Sequence, residues 1–94
     1  QILSYPRNII PNYWLNIINT NNKKIKIKKT LTNLQNKNII ARQIWHPVHK
    51  LLPYQKNECY NIVKANKLYE TCFCLPSSAN LKLTEIKKIC NLLK

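Results

Sequence analysis

Apolar residues recur along this chain first every second position and then every third or fourth, and the changes of period mark its elements. Residues 12–18 are rich in aromatic and β-branched side chains, with Tyr13, Leu15 and Ile17 on one face, and predict a strand whose Tyr13 and Trp14 join the sheet core. Residues 19–22 predict a turn. Residues 23–29 alternate Lys and Ile in the manner of an edge strand, yet Ile27, Leu31 and Leu34 have helical spacing, so a helix is expected over about 27–36. Lys37 and Asn38 end it, Asn being the usual substitute where a helix end needs left-handed backbone and Gly is missing. Residues 39–45 predict a second strand, after which Pro47 and Pro53 are expected to keep the chain extended and non-helical. Residues 61–71 read as a helix with Ile62, Ala65 and Tyr69 on its apolar face, and residues 72–75 as a short third strand. Pro76-Ser77-Ser78 turns the chain, with a serine expected to bond backbone. A last helix over about 83–93 carries the stripe Ile86, Ile89, Cys90 and Leu93, with Thr84 or Asn80 to cap it.

The order strand, helix, strand, helix, strand, helix predicts an α/β fold of the α+β kind: three short strands with helices on one face. The other sheet face is left to be covered by a partner. At 94 residues the chain holds one small domain. It opens on Gln1 rather than Met, so it is expected to be a piece of something longer. It has no apolar run of membrane-spanning length, and no membrane partner is expected.

Charge alters this picture less than its size suggests. The net charge of +13 invites a polyanion as partner. However, the chain is dominated by Asn, Ile and Lys, contains two Arg and lacks Gly, a pattern that AT-rich codons produce unaided. Arg is the residue suited to bidentate phosphate and base contacts, so nucleic acid is disfavoured as the partner. The four cysteines contain no Cys-x-x-Cys pair and both His precede them, which argues against a metal site and for buried free thiols.

Against this inexpensive background one segment stands out. Residues 41–54, ARQIWHPVHKLLPY, concentrate Arg42, Trp45, His46, His49, Pro47 and Pro53. On packing grounds Trp45 and Tyr54 suit a core, Arg42 an ion pair, and His46 a solvated surface.

Three motifs stand in order: Asn12-Tyr13-Trp14-Leu15-Asn16, then Ala41-Arg42-Gln43-Ile44-Trp45-His46-Pro47-Val48-His49-Lys50-Leu51, then Leu75-Pro76-Ser77-Ser78. Together they resemble the C-terminal part of the DegT/DnrJ/EryC1/StrS aminotransferases, and most of all the branch that serves legionaminic-acid-type sugars. The resemblance runs over about residues 11–94. It departs from the family pattern at Gln43, where the family usually has Pro, and at Pro53, displaced by one residue. What the resemblance implies is a domain arrangement with residues 1–11 as a linker from a large domain and 12–94 as the small C-terminal domain of a fold-type I enzyme. It implies pyridoxal phosphate as cofactor, held mainly by the large domain, since no lysine here matches the family's Schiff-base motif. This chain alone is then expected to be inactive. It further implies a nucleotide-linked 4-keto-6-deoxy sugar as substrate, glutamate as amino donor, a homodimer, a cytoplasmic location and a role in surface glycan synthesis. Arg42, Trp45 and His49 match the family's Arg-Pro-x-Trp-x-x-x-His pattern, which implies that they bind substrate: Arg42 by forking to a phosphate or carboxylate, Trp45 by packing on a ring, His49 by bonding a hydroxyl or phosphate. The alternatives are a small basic module for nucleic acid or another polyanion, and a non-functional gene remnant.

Overall fold

The computed structural model describes Ile2, residues 4–21 and residues 26–93. Asn22 and the Lys–Ile alternation before Lys26 lie outside the described residues. In chain order the elements are β1 (Asn16–Asn19), α1 (Ile27–Gln35), β2 (Arg42–Gln43), 3-10 turns at Val48–Lys50 and Leu52–Tyr54, α2 (Val63–Thr71), β3 (Cys72–Leu75) and α3 (Leu83–Leu92). The strands form one sheet in the order β1-β3-β2, with β3 central and antiparallel to both neighbours. This is the mixed α/β architecture of three strands and three helices that the periodicity predicts.

Register fixes what each sheet face presents. Phe73 lies opposite Ile18 on one side and Gln43 on the other, while Cys74 lies opposite Ile17 and Arg42. Directly opposed residues share a face and successive residues alternate. One face therefore presents Ile18, Phe73 and Gln43, and the other Ile17, Cys74 and Arg42. The first is the core face. Phe73 and Leu34 are almost wholly buried there with Ile27, Ile39 and Ile89, and Leu31, Ala41 and Leu93 pack against them. Helices α1 and α3 supply that layer.

Helix α1 ends in a Schellman motif, which accounts for the shortness of the second strand. Asn38 is left-handed at φ 60°. Its N–H bonds the Gln35 carbonyl at 2.9 Å, and the Ile39 N–H bonds the Leu34 carbonyl at 2.9 Å. Ile39 then packs in the same cluster as Leu34, the apolar contact that accompanies this cap. With Ile39 committed to the cap, the second strand cannot begin where its sequence pattern starts. It is confined to Arg42 and Gln43, opposite a four-residue partner.

The first strand starts at Asn16, four residues later than its pattern suggests. Tyr13 has φ 53°, which no strand accommodates, and the Trp14 N–H bonds Asn12 Oδ1 at 3.1 Å in an Asx turn. Tyr13 and Trp14 stand in solvent rather than in the core. Asn21, Asn38 and Asn61 share the left-handed region with Tyr13, so in a chain without Gly the amide side chain takes over most of that role. At Asn61 this holds α2 off until Val63.

Further departures have local chemical causes. Residues 48–54 are wound into two 3-10 turns rather than extended, because Pro47 precedes the first and Pro53 occupies the opening of the second, where its fixed φ suits a helical turn. Ala65 is exposed on α2, where Asn66, Leu68 and Tyr69 are half-buried, as is Ile62 just before it. Helix α3 is capped by neither Thr84 nor Asn80. Glu85 Oε2 instead accepts the Lys82 N–H at 2.8 Å. Of its stripe, Ile89 is buried and Leu93 half-buried, while Ile86 and Cys90 are exposed.

Among the described residues the two buried polar ones, Thr20 and Thr71, are satisfied. Thr71 carbonyl accepts both the Thr20 N–H at 2.9 Å and the Thr20 hydroxyl at 3.0 Å, and the Thr71 hydroxyl donates to the Lys67 carbonyl at 2.8 Å. All four thiols are free, but only Cys72 is buried, Cys74 is half-buried, and Cys59 and Cys90 are exposed. Among the described residues no helix is long and apolar enough to cross a membrane. The Cα radius of gyration is 15.1 Å, against about 12 Å for a compact domain of this length. Ile10, Trp14, Ile40, Trp45, Leu52 and Tyr60 are all more than half exposed. The core is thus one-sided, and much apolar surface lies outside it.

Candidate functional site

A groove of about 800 Å³ runs over the sheet face that α1 and α3 leave open. Ile17, Cys74 and Arg42 form its floor by strand register, and Ile40 and Ile44 extend the same alternation along the chain before and after β2. Trp14 and Trp45 stand together at its margin with ring centroids 5.5 Å apart and planes at 69°. Their edge-to-face contact joins two segments 31 residues apart. The Ser77 hydroxyl donates to the Trp14 carbonyl at 2.6 Å. This is the backbone-bonding role expected of the serine pair, and it locks the Pro76-Ser77-Ser78 turn onto the Asn12-Tyr13-Trp14 segment. The three sequence motifs thus meet around one groove.

The groove's chemistry is simple. Among the described residues Arg42 is its one cationic lining residue, exposed and with five fixed donors for an anion. The Trp faces and the Ile side chains offer flat and apolar contact, and Ser77 and Ser78 add hydroxyls. Burial pushes the Cys74 thiol above its ordinary pKa, and the neighbouring Cys72, on the same strand face, pushes in the same direction. Cys74 is accordingly a protonated, weakly nucleophilic floor residue at neutral pH. Among the described residues no cluster of His, Cys, Asp and Glu could hold a metal ion.

Of the three residues matched by resemblance, Arg42 and Trp45 line the groove together. Trp45 is 72% exposed and so lies outside the core of this chain. His49 stands apart, half-buried, with Nε2 3.0 Å from Asn66 Oδ1 on α2. An oxygen acceptor there assigns the proton to Nε2 and leaves Nδ1 as the atom that could meet a ligand. His46 is exposed as expected but not merely solvated. Its Nδ1 is 2.8 Å from the Tyr69 hydroxyl, and the two rings meet edge to face at 4.9 Å. Tyr54 is 45% exposed, so it packs only in part. Sequence reasoning missed Asn66 and Tyr69 as partners. A polar Asn in the middle of a helix, and a Tyr rather than Leu on its apolar side, are the signals that could have found them.

The model of the DegT/DnrJ/EryC1/StrS aminotransferase family matches residues 5–94, and the chain belongs to that family. Enzymes of the family are generally dependent on pyridoxal phosphate. No curated protein matches the chain. The groove itself does not fit that cofactor. Among the described residues it is lined by no lysine that could form the imine and by no carboxylate that could pair with a pyridine nitrogen.

Proposed function

We propose that this chain is the small C-terminal domain, over residues 12–94, of a sugar-nucleotide aminotransferase, with residues 1–11 leading from a larger domain that holds pyridoxal phosphate. The observation that carries this reading is the groove on the open sheet face, where Arg42, Trp14 and Trp45 combine a fixed cation with two aromatic surfaces. A nucleotide-linked sugar matches that pairing, with phosphate for the guanidinium and ring faces for the indoles. The one-sided core and the exposed apolar residues support a face meant to be covered by more protein.

The motif variants Asn12-Tyr13-Trp14-Leu15-Asn16 and His49-Lys50-Leu51 favour a 4-keto-6-deoxy sugar nucleotide of the legionaminic-acid-type branch, with glutamate as donor, in a cytoplasmic homodimer serving surface glycan synthesis. Arg42 orients the substrate through its phosphates and Trp45 excludes water from one ring face. His49, with Nε2 donating to Asn66 Oδ1, leaves Nδ1 to accept a bond from a sugar hydroxyl. In the full-length enzyme Arg42→Ala should raise the sugar-nucleotide KM about 10- to 100-fold, the equivalent of one charge-assisted hydrogen bond. His49→Ala should raise KM or lower kcat to a smaller extent. Unchanged kinetics for both variants, or a coding sequence upstream of Gln1 without a frame containing a Schiff-base lysine, refutes the proposal.

A further inference from the structure

The segment that carries Arg42 and Trp45 has little secondary structure of its own, yet it is fastened along its length to one helix. Gln43 Nε2 donates to the Tyr69 carbonyl at 3.3 Å. His46 Nδ1 meets the Tyr69 hydroxyl at 2.8 Å. His49 Nε2 donates to Asn66 Oδ1 at 3.0 Å. Lys50 Nζ sits 5.6 Å from the centre of the Tyr69 ring. Two of these anchors are the immediate neighbours of groove residues: Gln43 comes directly after Arg42, and His46 directly after Trp45.

In β2 successive side chains point to opposite sheet faces, so the Gln43 contact to α2 holds Arg42 on the groove face, while the His46 contact fixes the backbone directly after Trp45. We infer that Asn66 and Tyr69 are positioning residues for the groove, setting the orientation of Arg42 and Trp45 through Gln43, His46 and His49 without touching the ligand themselves. This gives a reason for the unusual chemistry of residues 41–54. The segment needs polar partners for α2 on one side and ligand-facing groups on the other. The inference rests on the proposed function only for what the groove binds. The orientation itself is independent of that reading.

The test reads the Trp14–Trp45 pair directly. Two indoles at 5.5 Å give an exciton-coupled circular dichroism signal, identified as the part of the spectrum lost in Trp45→Phe. It is measured on the full chain with three changes on α2. Asn66→Leu together with Tyr69→Phe removes the acceptor and the hydroxyl and should lose at least half of that signal while cooperative melting persists. Asn66→Asp keeps an oxygen acceptor for His49 Nε2 and should retain it. If the double variant does not melt cooperatively, Tyr69→Phe alone, which removes one oxygen atom, decides the matter and should lose a measurable fraction. An undiminished pair signal in a folded variant lacking these groups overturns the inference, as does equal loss in Asn66→Asp and the double variant. In the full-length enzyme the double variant should raise the sugar-nucleotide KM at least threefold with kcat changed less. Absence of transaminase activity would remove the proposed function and leave the spectroscopic result standing.

Discussion

Replacing Phe73 by Ala should remove a large share of the stability of this fold. Phe73 is 1% exposed and sits on the central strand, opposite Ile18, against Leu34, Ile27, Ile39 and Ile89 from α1, the segment after it and α3. Among the described residues it is the largest fully buried side chain, and it belongs to the same buried cluster as residues of α1 and α3. Deleting a buried Phe to Ala costs about 3–5 kcal/mol, the sum of lost transfer energy and an unfilled cavity. A 94-residue domain is stable by about 5–14 kcal/mol in total, and one with so small a core belongs at the low end. The substitution should therefore bring the fold close to its unfolding threshold and lower Tm by more than about 10 °C. Urea titration followed by tryptophan emission measures it, with Phe73→Leu as a milder companion that keeps most of the volume. A loss below about 1.5 kcal/mol for Phe73→Ala would mean that the cluster around Phe73 is not the core, and the layer assignment would fall with it.

Other predictions come from single sites. Asn38→Ala should cost about 1 kcal/mol, because an ordinary Cβ is disfavoured at φ 60°, whereas Asn38→Gly should be neutral or stabilising, and parallel urea midpoints distinguish the two. A thiol reagent at neutral pH should label Cys59 and Cys90 quickly, Cys74 slowly, and Cys72 only on unfolding, which peptide mapping of labelled protein resolves. The raised pKa of Cys74 makes its contribution to stability constant below about pH 8 and lost as pH rises further, since the unfolded thiol gives up its proton first. Cys74→Ala should flatten that alkaline slope in urea midpoints measured from pH 7 to 10, and an unchanged slope would contradict the burial of this thiol.

Local periodicity and chain punctuation were sufficient for the elements whose partners lie nearby in sequence. The spacing of Ile27, Leu31 and Leu34 fixed α1 within a residue of its observed end, and Asn38 marked the left-handed stop that a Schellman cap requires. The third strand, held centrally by two neighbours, falls where its pattern placed it. The family motifs likewise depend only on residue identity and order, and the family match covers the region they span. Tertiary structure alone decided where strand patterns are cut short, because pairing length is set by the partner strand and by caps that consume residues such as Ile39. It also decided that Trp14 and Trp45 leave the core to meet each other, that His46 and His49 turn to α2, and that Arg42 reaches the open face. No local pattern carries those outcomes, since each depends on register and on contacts between segments separated by 17 to 63 residues.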